Sequence, residues 1–366
     1  MSFESGTVSL RMFTIPRKFE DGVVERFADQ SLPSLDSLRE DAIYGWVTGR
    51  HLFDRKITED TAYPAGHLRL TLVKAERKIP SSLLKAEMKQ EELVRLQMKE
   101  ADYVSRKEKA EIRQELVERL LPQMPVQLKG TDFVHNPDEL YIYTDAVSEK
   151  QADEFIMHLR HASGIAPEPI TPEALARARK RVDTRDWYPS SFSPDVEDEF
   201  VSGDPGHDFA TWLWFRSETV EQFIKTSQGD VSVFIEGPLT FFMEGGGAHE
   251  SVIRKGNPTV SMEAKASLLA GKKLAKCKLT VTRGEEIWTG NFDASELTVR
   301  SMKLPEDEEK LDHMSRFADR LVKIGEFREI LFDLFDEFVT VRSDKKAWSA
   351  LRPTIHEWVK SRKAVP

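Results

Sequence analysis

The chain is poor in the residues that announce chemistry. It has one cysteine, Cys277, which excludes an internal disulfide framework and any cysteine-based zinc cluster. No stretch approaches 18 uncharged apolar residues, so no membrane-spanning helix is expected. The opening MSFESGTVSLRMF lacks a basic region followed by an apolar one, so no signal peptide is expected and the reading is cytoplasmic. Positive charge is also in deficit: 53 Lys and Arg face 62 Asp and Glu, a net charge of −9. A chain so balanced does not advertise nucleic-acid binding. If it binds DNA, its cations must be gathered on one surface and its acid kept elsewhere.

Glycine and internal proline are missing from residues 80–122, which are dense in Glu, Lys, Gln, Leu, Met and Arg. Apolar residues recur there at helical spacing, as Leu84 and Met88, Leu93 and Leu96, then Ile112, Leu116 and Leu120. The phase breaks before Ser105-Arg106-Lys107-Glu108, a capping box, so two helices with a bend near Ser105 are predicted, stopped by Pro122. A straight arm of that length would reach roughly 60 Å. A hairpin packed on its own domain competes with an arm that shapes an assembly.

Before the arm, residues 5–15, 42–48 and 67–75 read as strands, with a short helix over 20–27. After it come a strand over 139–145 and a helix capped by Ser148. Residues 164–206 are punctuated by proline and acid and read as a linker or excursion, holding a short helix that starts at Thr171-Pro172. The second half is predicted to open with a strand, FATWLWF over 209–215, followed by a helix from Ser217. Strands over 231–235 and 239–243 flank Gly237-Pro238, and Gly245-Gly246-Gly247 reads as a turn. A helix over 259–270, a meander over 273–282, 286–292 and 297–303, and helices over 306–323, 327–341 and 347–362 complete the pattern. The fold class is α+β, mostly antiparallel sheets with a long helical arm. The expected divisions are 1–79 with 131–165, an arm and tip over 80–130, a linker or insertion over 166–206, a second α+β domain over 207–343, and an extra helix over 344–366.

Catalytic patterns fail one by one. Glu154, His158 and His161 share a helix side, but no fourth metal ligand is evident. Glu263-Ala264-Lys265 matches part of an acid-x-Lys nuclease pattern yet falls in a predicted helix. The glycine run lacks a phosphate-binding layout, no serine nucleophile elbow occurs, and Cys277 reads as a packing residue. No catalytic residue, metal or cofactor is expected. Basic groups are more suggestive: Lys74, Arg77 and Lys78 before the arm, Arg106, Lys107 and Lys109 at its bend, Arg254 and Lys255, then Lys272, Lys273, Lys276 and Lys278. Together they could supply the phosphate contacts that dominate nonspecific DNA affinity.

In order, Gly45-Trp46-Val47, the strand into Lys74-Ala75-Glu76-Arg77-Lys78-Ile79-Pro80-Ser81, the arm closing at Leu120-Leu121-Pro122, and Leu269-Ala270-Gly271-Lys272-Lys273-Leu274-Ala275-Lys276 before Leu279-Thr280-Val281 resemble the recombination-associated RdgC family. Leu297-Thr298-Val299, the acid at 306–309 and Phe317-Ala318-Asp319 continue the likeness. The resemblance implies horseshoe subunits that pair into a ring dimer around double-stranded DNA, with single-stranded DNA as a second form, without sequence preference. It further implies antagonism towards RecA, association with the nucleoid and no membrane. By that analogy Leu120, Leu121, Met124 and Pro125 make a dimer contact, although Gln123-Met124-Pro125 replaces an aromatic that the family often carries there. Lys74, Lys78, Arg106, Lys107, Lys109, Arg254, Lys255, Lys272, Lys273 and Lys276 are the expected DNA-facing cations. A metal-dependent DNA exonuclease, a label sometimes attached to the family, and a protein-interaction scaffold without DNA binding are the alternatives.

Overall fold

The computed structural model describes every residue except 1–2, 36–37, 39–41, 100–101, 202, 220–222, 244–248, 307–310 and 363–366. The glycine turn at 245–247 and most of the acidic 306–309 stretch lie outside the described residues. In chain order the elements are β1 (Val8–Thr14), α1 (Val23–Asp29), β2 (Ile43–Thr48), α2 (Glu59–Ala62), β3 (Leu68–Arg77), α3 (Ser81–Lys99) and α4 (Arg106–Leu120). Then follow β4 (Val126–His135), β5 (Tyr141–Thr144), α5 (Glu149–Ser163), β6 (Glu168–Pro169), α6 (Pro172–Lys180) and α7 (Pro205–Thr219). The remainder is β7 (Ile224–Thr226), β8 (Gly229–Phe242), β9 (Glu250–Ile253), α8 (Met262–Leu269), β10 (Lys273–Arg283), β11 (Glu286–Asp293), β12 (Thr298–Lys303), α9 (His313–Ser343) and α10 (Lys345–Ser361). The class is α+β with antiparallel sheet, as expected.

The chain forms two compact units, residues 1–18, 64–68 and 133–366, and residues 19–63 with 69–132. In the smaller unit β2 pairs antiparallel with β3, Gly45 opposite Val73 and Val47 opposite Thr71. Leu32, Val47, Val73 and Ala75 form its sheet core. Gly45 is obligatory there, because a Cβ would stand 2.2 Å from the Leu32 Cα. The predicted bend at Ser105 is present. Ser105 accepts from the Glu108 amide at 3.2 Å, and the Glu108 carboxylate accepts from the Ser105 amide at 2.9 Å. Beyond the bend the arm folds back: Ile112, Leu116 and Leu120 of α4 pack against Ile79, Leu84, Met88 and Val104. Arg95 reaches Glu115 at 2.5 Å and Arg119 reaches Glu87 at 2.8 Å, so α3 and α4 are antiparallel. The 60 Å arm is therefore a hairpin whose first helix spans about 28 Å.

In the larger unit the strand order β5-β1-β12-β11-β10-β8-β7 makes an antiparallel sheet, with β6 beside β1 and β9 beside β8. Alternation puts Cys277, Leu279 and Val281 of β10 and Trp288 and Phe292 of β11 on the buried face. The core includes the buried faces of α7 and α9, with Phe209 edge-on to Phe335 at 5.1 Å and Trp288 donating to the Lys323 carbonyl at 3.0 Å. Three sequence expectations are corrected here. FATWLWF is helical, part of α7, and no separate helix starts at Ser217. Asp204 caps it through the His207 amide at 2.8 Å, and residues 205–215 are all buried, which erases the periodicity that tells helix from strand. The strands about Gly237-Pro238 are one strand, β8. The helices placed over 306–323 and 327–341 are one, α9, whose buried stripe Leu321, Ile324, Phe327 and Leu331 runs straight past Gly325. Strand β4 is absent from the sequence reading.

Candidate nucleic-acid interface

Successive side chains of a strand point to opposite faces, and β10 exploits this with Lys276, Lys278, Thr280 and Thr282 outward and the apolar residues inward. The register then assembles rows across strands roughly 4.8 Å apart. Glu236 of β8, Lys278 of β10, Asn291 of β11 and Arg300 of β12 form one row. Phe234, Thr280, Thr289 and Lys303 form the next. Thr240, Lys276 and Asp293 form a third, whose β12 position, Thr298, is buried. Irregular pairing between Thr289 and Asn291, with Ser301 at φ 52°, is what lets Arg300 and Lys303 both face solvent.

Two of these cations are neutralised locally. Lys276 lies 2.7 Å from Asp293 and Lys278 3.1 Å from Glu236, where its hydrogen bond holds the Glu236 carboxyl below the ordinary carboxylate range. Arg300 donates to the Val147 carbonyl at 2.9 Å, and neither it nor Lys303 has a carboxylate partner among the described residues. On the β8 side of the same face, opposite Thr280, Phe234 is 52% exposed. Arg254 and Lys255, both exposed, follow β9, and Lys272 donates to Ser251 of β9 at 2.6 Å. The outward face thus offers cations, hydroxyls, an amide and one aromatic, a set suited to phosphate and sugar contacts.

The other expected positions divide. Lys273 is a correction: its ammonium is 1% exposed and lies 2.5 Å from the equally buried Asp208. Lys272 precedes β10, and residues 273–275 are all buried where the pairing with β8 turns irregular, so simple alternation does not place Lys273. Leu120 is a second correction, buried in the hairpin seam rather than available to a partner, and the 120–125 stretch lies at the base of the hairpin, where Arg77 donates to the Met124 carbonyl. The opposite turn instead exposes Met98 and Tyr103, at 80% and 79%. Leu121 and Met124 are half-buried and Pro125 exposed. Lys74 is spent on Glu76 at 3.1 Å and on the Tyr44 ring, and Lys109 on Glu92 at 3.5 Å. Lys78, Arg106 and Lys107 are exposed but stand at opposite ends of the hairpin. Arg300 and Lys303 were missed: the TVRSMK spacing of three hides a shared face unless the bulge is known.

Cys277 is buried, which pushes its thiol up to about 12. Glu263 and Lys265 sit on α8, as expected, with Lys265 donating to the Arg362 carbonyl at 3.0 Å. Among the described residues no group of three or more His, Cys, Asp or Glu could hold a metal ion, and no helix is long and apolar enough to cross a membrane.

These features define an α+β protein with an open, cation-bearing sheet face and a separate helical hairpin. The chain matches the model of the family described as "Putative exonuclease, RdgC" over residues 10–185. It is 25% identical over 342 residues to the recombination-associated protein RdgC of Tolumonas auensis, covering 89% of this chain and 95% of that one. The protein of that name from Aeromonas hydrophila is 27% identical over 164 residues, 43% of this chain and 52% of its own. The one from Neisseria meningitidis serogroup C is 26% identical over 145 residues, 37% and 48%. The likeness to the RdgC family read from sequence landmarks is thus found again, along most of the chain by one relative.

Proposed function

We propose that this chain binds double-stranded DNA without sequence preference, as a homodimer, and acts in recombination by restraining RecA-driven strand exchange. One observation carries the reading: the outward cations of β10 and β12, registered in rows with hydroxyls and an amide on a sheet face. Such a face meets phosphates without reading bases. The horseshoe subunit and ring closure follow the family resemblance, with the hairpin as one contact. A groove of about 710 Å³ along α4, lined by Met88, Val117, Leu121 and Pro122, offers apolar surface for it. Single-stranded DNA and nucleoid association come with the same reading.

The test is fluorescence anisotropy with two unrelated duplexes over a salt series. Both should bind alike, and Lys278→Glu with Arg300→Glu should weaken both equally. Absence of binding at low salt, or strong preference for one duplex, ends the proposal. The description of the matched family favours a second reading, a metal-dependent exonuclease. Shortening of end-labelled duplex in Mg²⁺ or Mn²⁺ would establish it, and intact ends would remove it.

A further inference from the structure

A cleft of about 510 Å³ opens in the larger unit where the loop after α6 meets the corner between α9 and α10. Its size falls in the range of sites that enclose one small ligand. Its walls are aromatic and fixed. Trp187 donates to the Ser343 hydroxyl at 3.2 Å and stands edge-on to Phe338 at 5.7 Å. Trp348 donates to the buried Ser190 hydroxyl at 2.9 Å. Tyr188, at the rim, is 74% exposed.

Between the two tryptophans lies Arg342, 6% exposed, its guanidinium 5.1 Å from one ring and 4.9 Å from the other. Nη2 donates to the Tyr188 carbonyl at 2.5 Å, and Nε lies 3.4 Å from Asp208, a carboxylate that also holds Lys273. Nη1 has no partner among the described residues, and Arg342 lines the cleft. A guanidinium so desolvated, with donors unused and half a carboxylate, favours an anion in the space before it. Lys345 stands at the rim with its ammonium 5.3 Å from the Tyr188 ring and no carboxylate partner among the described residues.

The acid in the lining is mostly engaged. Asp198 accepts both Arg352 terminal nitrogens, at 2.8 and 2.9 Å, and Asp183 accepts Arg185 Nε at 2.9 Å, leaving Asp186 exposed on the rim. The first amides of α10 are taken by Asp344, so side chains rather than the helix end would hold the anion.

We infer that this cleft binds a nucleoside monophosphate, its base against Trp187 and Tyr188 and its phosphate on Arg342 and Lys345. A planar ring suits the aromatic walls, and a phosphate suits a guanidinium joined by an ammonium. The site shares no residue with the sheet face, so it stands or falls apart from the DNA reading.

Titrating the full-length protein with dAMP, followed by calorimetry and tryptophan fluorescence, tests it. Saturable binding is expected, with deoxyadenosine and inorganic phosphate each at least about tenfold weaker, since each lacks one half of the recognition. Tyr188→Ala keeps the carbonyl that Arg342 uses, and Lys345→Gln keeps the side-chain stem. Each should weaken dAMP about tenfold with an unchanged melting temperature, because both side chains are exposed. No saturation at millimolar dAMP overturns the inference. Wild-type affinity in either variant does so too, since the nucleotide would then lie elsewhere.

Discussion

Asp208 and Lys273 each expose 1% of their side chains and lie 2.5 Å apart, so removing Asp208 strands Lys273 in the core and removing Lys273 leaves Asp208 only the more distant Arg342, at 3.4 Å. Removing one partner of such a pair typically costs about 3–5 kcal/mol. Lys273→Ala should therefore lower the urea midpoint sharply, whereas Lys276→Ala, on an exposed side chain, should shift stability by no more than about 0.5 kcal/mol. Equal midpoints in the two variants would contradict the burial. Three histidines add a pH dependence: His158, lowered by burial and by nearby His161, and a more buried pair. Burial pushes His135 and His207 below their ordinary value of 6.5, so the fold favours neutral imidazole at both. Their contribution is present above 6.5 and is lost as pH falls through the lowered folded values. Melting temperature should be flat from pH 8 to 7 and drop on acidification below about 6.5. His135→Gln with His207→Gln should flatten that drop, and an undiminished slope would assign it to other groups.

At the scale of elements the hairpin is held by a thin seam. Only Ile112, Leu116 and Leu120 are buried on α4 and no residue of α3 is. Charge pairs across the seam are partly exposed and worth little each. Ser105→Ala removes the cap and should cost about 1 kcal/mol, read as faster amide exchange in the first turn of α4. Leu116→Ala should cost about 2–5 kcal/mol and melt the hairpin, unless the seam is held by something other than its apolar residues. The two helices and the bend between them were legible because Ser105, Glu108 and Pro122 act locally. Antiparallel folding of the arm was not, since nothing in the sequence distinguishes one long arm from two helices doubled back. FATWLWF failed for the opposite reason: with all sides buried, aromatic β-preference spoke and tertiary packing overrode it. The candidate face was half legible. Lys276 and Lys278 follow from simple alternation, but Arg300 and Lys303 depend on an irregular strand pairing that only structure supplies.

For the whole molecule the constraint is electrostatic. A net charge of −9 repels DNA at long range, so any affinity must come from a local patch dense enough to displace counterions. The outward sheet face supplies Lys276, Lys278, Arg300 and Lys303, with Arg254 and Lys255 beyond β9. Two of the four sheet lysines and arginines already sit on carboxylates, and these ion pairs must exchange for phosphate on binding. Four phosphate contacts imply that log affinity falls with log salt at a slope near −3.6, about −0.9 per contact. Replacing Lys303 with Gln should make that slope shallower by about one contact's worth while changing every duplex alike. If binding further requires the proposed dimer, light scattering should give twice the 41.9 kDa chain mass under the conditions of the titration. A strict monomer that nevertheless binds with the predicted slope would keep the sheet face as the DNA site and discard the ring. A dimer whose slope ignores Lys303 would keep the assembly and move the DNA to another surface.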